Sequence, residues 1–262
     1  MHAVPQSRGW EVSRGAAFGR ASEQEFLGVC ALLFAGSAVA TIVWCASMSG
    51  MAGMPMPGGW TMSMAWMRMP GQSWTAAAAS FLGMWIVMMI AMMLPAVTPA
   101  LAGYRPALAA RVSVAYFGVW ALLGLVVYPL GLALAELAMR APALARLVPA
   151  LGGVALVIAG LLQLSAWKSR QLDCCRAPRR RAATTARAAW RQGVALGLRC
   201  CACCAPLTAA LLVVGVMDLG AMAAATAAIS LERLAPRGHA AARISGVMLG
   251  IAGIAALVHV VD

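Results

Sequence analysis

The chain has 262 residues, 63% hydrophobic and 11% charged, with a mean hydropathy of +0.84, which excludes an ordinary soluble domain and predicts an all-α, polytopic helical membrane bundle. Its net charge is +12, carried almost wholly by Arg, with Lys168 the one lysine. These cations lie between apolar runs and lack interleaved aromatics, so they read as the positive-inside signature of loops at a lipid bilayer, with Arg contacts to lipid phosphates, and not as a nucleic-acid surface.

Residues 1–25 carry Arg8, Arg14 and Arg20 and are expected to form a cytoplasmic tail ahead of one transmembrane domain, 26–262. Phe26 to Cys45 is long enough for a first span and too long for a signal-peptide core. Met48 to Met69 then reads MSGMAGMPMPGGWTMSMAWMRM, with methionine at 48, 51, 54, 56, 62, 64, 67 and 69. Its Gly and Pro forbid one regular helix, so 48–73 is expected to be a flexible outer loop. Two readings compete there: soft thioethers that capture Cu(I) or Ag(I), or adaptable apolar groups that anchor at the interface beside Trp60, Trp66 and Trp74.

The second span, Trp74 to Leu94, carries Met84, Met88 and Met92 on one helical stripe and Met89 and Met93 on the next. Pro95 and Pro99 are expected to end or kink it. The third span, Val112 to Ala135, contains Tyr128-Pro129, and Glu136 just beyond it reads as a solvated carboxylate. The fourth, Leu147 to Trp167, carries Gln163, expected to hydrogen-bond a neighbouring helix. A basic inner loop, 168–193, follows; it includes Arg179 to Arg181 and the pair Cys174-Cys175.

From Trp190 to Glu232 the chain is apolar for twice the length one span needs. One long span would bury Asp218; two spans, Val194 to Met217 and a short Leu219 to Leu234, put Asp218 at a turn beside Gly215 and Gly220. A last span covers Ile244 to Val260. With seven spans and a cytoplasmic N-terminus the inner segments hold 17 Lys/Arg and the outer ones 3, against 14 and 6 for six spans. Seven is therefore preferred.

Four of the eight cysteines lie in five positions, Cys200 to Cys204. On a helix Cys200, Cys203 and Cys204 share a face, which offers a soft site suited to Cu(I) or Zn(II) over any hard cation. Span polarity gives this cluster and Met88, Met89, Met92 and Met93 a common depth, 9 to 15 Å from the start of a helix opening at Val194, so they can share an ion, with Met88 or Met92 the expected contact. Small residues (Ala91, Ala202, Ala205) are expected to let the helices approach. Carboxylates are too few for a hard-ion site.

The motifs MWxVMMxAMMLPxxxP at Trp85 to Pro99, LQL with following K, CR and P at Leu162 to Pro178, and C-x-x-CC followed by VVGVM and LE-x-L-x-PRG resemble a bacterial family of predicted metal-binding integral membrane proteins, a domain of unknown function. The likeness covers about residues 74–258. It implies a multi-pass protein of the bacterial inner membrane that binds a metal, with the matching positions Met88, Met89, Met92, Met93, Pro95, Gln163, Cys175, Cys200, Cys203 and Cys204. The chain departs from that pattern by lacking a His before the cysteines, by Gln171 in place of a second Cys, by Asp218 for Asn and by Ala205 for Trp. Loss of the His leans the choice from zinc toward all-sulfur Cu(I), since His239 and His259 are too remote to replace it.

The leading expectation is thus a membrane protein handling Cu(I), captured by the Met loop, held by the Met and Cys clusters and received in the cytoplasm at Cys174-Cys175, with a metallochaperone or membrane partner and no direction of movement assigned. The alternatives are a thiol/disulfide protein using Cys200 and Cys203, or an assembly partner whose sulfurs only pack. No nucleotide loop, triad or carboxylate pair is present, so a non-enzymatic role is expected.

Overall fold

In a computed structural model the described residues are 9–49, 53–67, 71–176 and 183–261. Arg8, Met51, Met69, Pro178 and the run Arg179 to Arg181 lie outside them, as does the Met64 side chain. The elements in chain order are α1 (Gly9–Ser49), β1 (Met54–Pro55), β2 (Thr61–Met62), a 3-10 turn (Met64–Trp66), α2 (Trp74–Leu101), α3 (Pro106–Arg140), α4 (Pro142–Leu164), α5 (Ala166–Arg176), α6 (Ala186–Val214), α7 (Leu219–Leu234) and α8 (Gly238–Val261). Six of the helices are long and apolar enough to cross a membrane: Gln24–Met48 within α1, then α2, α3, α4, α6 and Gly238–Val260 of α8.

Side-chain caps open three helices. Ser73 accepts from Ala76 N, Thr185 from Ala188 N, and Asp218 from Ala221 N at 2.7 Å, each satisfying an orphan first-turn donor. Asp218 therefore sits at a break between two helices and not inside a long one. Pro106 and Pro142 stand at the starts of α3 and α4, where their missing N–H costs nothing.

The expected end of the second span at Leu94 is corrected. Helix α2 runs on through Pro95 and Pro99 to Leu101, because a proline removes one ladder bond without ending the helix where packing holds it; here Leu94, Ala96, Val97 and Leu101 are buried in the main core. Helix α6 likewise begins at Ala186, before the expected Val194, so Cys200 lies about 21 Å from its start at 1.5 Å per residue, and not 9 Å. Of the expected basic loop 168–193, residues up to Arg176 belong to α5 and those from Ala186 to α6.

The Met-rich segment is more ordered than the flexible loop expected of it. Met54 pairs with Met62 and Pro55 with Thr61, and the turn uses Gly58 and Gly59 at positive φ (103° and 76°). Trp60 Nε1 donates to Ala145 O at 2.9 Å, and Met56 and Met62 pack on Ala135, Ala138 and Ala145. The hairpin is docked on the α3–α4 corner, and two of its thioethers are used in packing.

Glycine sets the closest helix approaches. A Cβ at Gly193 would stand 2.5 Å from Val112 O, and one at Gly197 2.9 Å from Val119 Cβ, so these two residues bring α6 onto α3. Antiparallel α4 and α8 meet in the same way, Gly160 against Gly246 and Gly153 against Gly253. Helix α7 returns along α6: it starts beside the α6 terminus, and Arg233 near its own end reaches back to Cys200.

Candidate metal centre

The sulfur candidates of α2 and α6 are buried. Met88, Met89, Met92, Met93, Cys200, Cys203 and Cys204 are each at most 1% exposed. Cys200 Sγ lies 3.8 Å from Cys204 Sγ, one turn on, and 3.9 Å from Met93 Sδ on α2. A soft metal about 2.3 Å from each of three sulfurs in a plane needs them about 4 Å apart, and both spacings at Cys200 match that value. Met93 thus supplies a thioether against the cysteine face, and Met88 and Met92 lie in the same buried cluster.

On α6 the thiol of Cys204 is hydrogen-bonded to both Cys200 and Cys203. Among the described residues no three of His, Cys, Asp and Glu are grouped to hold a metal. Successive helical residues turn by about 100°, which puts Cys203 and Cys204 on different flanks of Cys200. Cys203 packs with Leu172 of α5, Ala242 of α8 and Cys175. Cys175 is half-buried, and its thiol donates to Arg199 O at 3.3 Å. Its side-chain hydrogen bond with Cys203, and then burial, push the Cys175 thiol well above its ordinary range.

Several residues that no spacing rule selects surround this cluster. Tyr116 of α3 donates its hydroxyl to Cys200 Sγ at 2.9 Å, and Arg233 of α7 donates from Nη1 to the same sulfur at 3.0 Å. Beneath them is a buried polar network. Lys168 Nζ pairs with Glu232 Oε2 at 2.6 Å and donates to Cys203 O at 2.7 Å. Glu232 Oε1 accepts from Gln163 Nε2 at 2.5 Å and from Ser245 Oγ at 2.9 Å, which meets the expectation that Gln163 bonds a neighbouring helix. Arg176 Nη1 donates to Glu232 O at 2.6 Å. One carboxylate therefore ties α4, α5, α7 and α8 together directly behind the sulfurs.

The remaining candidates lie elsewhere. Glu136 is exposed and pairs with Arg140. His239 pairs with Asp173 at 2.9 Å near the surface, and His259 is exposed. A separate sulfur contact, Cys45 Sγ to Met217 Sδ at 3.8 Å, fastens the end of α1 to the α6–α7 turn.

The described residues thus form a helical bundle with membrane-length apolar helices and a buried cluster of thiols and thioethers. The family model described as PpoB2, copper chaperone, matches residues 82–256, two-thirds of the chain and all the candidate ligands, and the chain belongs to that family. No curated protein and no solved structure matches it.

Proposed function

We propose that this protein is a multi-pass membrane copper handler that holds Cu(I) as cargo between α2 and α6, on Cys200, Cys204 and Met93, with Met88, Met89 and Met92 lining the approach along α2. The single observation that carries this reading is the convergence of three sulfurs from two helices at spacings of 3.8 and 3.9 Å; membership of a copper chaperone family supports the choice of metal. Cu(I) favours sulfur-only, low-coordinate sites, while Zn(II) favours four ligands. Cys203 and Cys175 extend the sulfur path toward α5 and are the step from which a soluble or membrane partner takes the ion.

The reading includes seven crossings, with the N-terminus and α5 facing the cytoplasm of a bacterium and the C-terminus outside. Three features support it. The basic residues gather around α5 and the start of α6. Ser245 and His239, at the start of α8, contact Gln163 and Asp173 at the α5 end. Helix α6 leads away from α5, and in this reading the short α7 carries the chain back, with Arg233 returning to the level of Cys200. The α7 helix is about 24 Å long, so local bilayer thinning accompanies it.

The thiol/disulfide alternative needs Cys200 to face Cys203, but Cys200 faces Cys204 while Cys203 packs with Cys175. The deciding experiment is metal analysis of the purified, copper-loaded chain beside Cys200→Ser/Cys204→Ser. Loss of about one equivalent of copper is expected. Retention of copper by the variant overturns the site.

A further inference from the structure

Among the described residues three charged side chains are buried: Lys168, Glu232 and Arg233. The first two pair with each other and cancel. Arg233 has no carboxylate within ion-pair distance among the described residues; its guanidinium points at Cys200 Sγ. Arginine does not give up its proton in proteins, so one fixed positive charge stands against the sulfur cluster, in surroundings where an unbalanced charge is strongly disfavoured.

We infer that Arg233 is the specificity-determining residue of the copper site: its charge matches a pair of thiolates to a monovalent soft cation. This rests on the reading of Cys200, Cys204 and Met93 as the ligands. Ligating cysteines bind as thiolates, their protons leaving to solvent, and a thioether is neutral. Two thiolates, one guanidinium and one Cu(I) sum to zero. The same set around Zn(II) or Cd(II) carries a net positive charge in a low-dielectric interior. With a neutral residue at 233 the order inverts, since a divalent ion then gives the neutral complex and Cu(I) leaves a net negative one.

Other charges nearby do not change the balance. Lys168 and Glu232 cancel, Arg176 is half-buried on the backbone carbonyl of Glu232, and Arg199 is exposed to solvent. Tyr116 adds a hydrogen bond and no charge.

The test uses the full chain in detergent under anaerobic conditions, with Cu(I) and Cd(II) affinities measured by chelator competition for the wild type, Arg233→Lys, Arg233→Gln and Arg233→Met. The lysine variant is expected to keep the wild-type ratio of Cu(I) to Cd(II) affinity. The two neutral variants are expected to shift it toward Cd(II) by about a hundredfold, the scale of one unit charge about 6 Å from the guanidinium at an effective dielectric of about 20. A parallel loss of both metals overturns the assignment, as does misfolding of both neutral variants by circular dichroism while the lysine variant folds, because Arg233 is then a structural residue. Failure of the site itself reads differently: Cys200→Ser/Cys204→Ser keeps its copper. If that variant loses copper but the neutral variants hold the wild-type ratio, the site stands and the role of Arg233 falls.

Discussion

Lys168 on α5 and Glu232 on α7 form an ion pair of 2.6 Å with both side chains about 1% exposed. A buried pair gains little over a well-packed apolar pair, but removing one partner strands the other charge at a cost of about 3–5 kcal/mol. Lys168→Met alone, or Glu232→Gln alone, is therefore expected to destabilise the bundle on that scale, and Lys168→Met/Glu232→Gln by clearly less than the sum. Thermal unfolding in detergent checks this. Additive losses would mean that the two groups do not act as a pair.

The contact between Tyr116 and Cys200 depends on how closely α6 approaches α3. A side chain at Gly197 meets Val119 and the Tyr116 carbonyl at 2.9 and 3.0 Å, so the helices have to part or shift to admit it. Gly197→Leu is expected to lower copper affinity at least about tenfold through displaced ligands. The neighbouring change Leu198→Ala, on the exposed face of α6, serves as the control and should have little effect. Equal affinities for both variants would show that the site does not depend on this approach.

Cys174 is exposed, whereas Cys175 is half-buried with its thiol held well up by Cys203 and by burial. Thiolates and not thiols react with alkylating agents. Because the folded-state value of Cys175 is raised, the protonated form that stabilises the fold persists as pH rises through the ordinary thiol range. Iodoacetamide at about pH 8, near the ordinary thiol range, is expected to modify Cys174 first and Cys175 only after unfolding, by peptide mass mapping. Fast labelling of Cys175 at that pH would remove the thiol contact with Cys203.

The sulfur cluster is legible in the sequence because residue type and helical spacing gather thiols on one helix face, and the break at Asp218 because a buried carboxylate costs more than a turn. Tyr116, Arg233 and Lys168 are not. Tyr116 is 84 positions from Cys200, and no local pattern links them. Glu232 and Arg233 end an apolar helix, where no local pattern separates a buried charge from an exposed one; the helices packed around that end bury them. Lys168 reads as a loop cation for the same reason. A tyrosine within an apolar span is the one available signal, since a buried hydroxyl needs a partner. The length of α2 is hidden because proline signals a helix end in water, while dense packing carries α2 through two of them.

Met93 and Met88 both belong to the buried core, yet they are expected to differ in function. Met93 Sδ stands 3.9 Å from Cys200 Sγ and completes a three-sulfur set with Cys204, so replacing it removes a ligand. Met93→Leu keeps volume and apolarity, which limits the packing cost to under about 1.5 kcal/mol. Its loss of Cu(I) affinity is expected to be about tenfold or more, equivalent to about 1.4 kcal/mol. Met88→Leu carries the same packing change more than one turn away along α2 and is expected to alter affinity by less than about threefold. Leucine offers no donor in either case, so the difference between the two variants isolates coordination from packing. X-ray absorption of the copper-loaded protein gives a second readout: three sulfurs around the metal in the wild type and in Met88→Leu, two in Met93→Leu. Equal affinities and equal sulfur counts for the two variants would return the α2 methionines to a packing role.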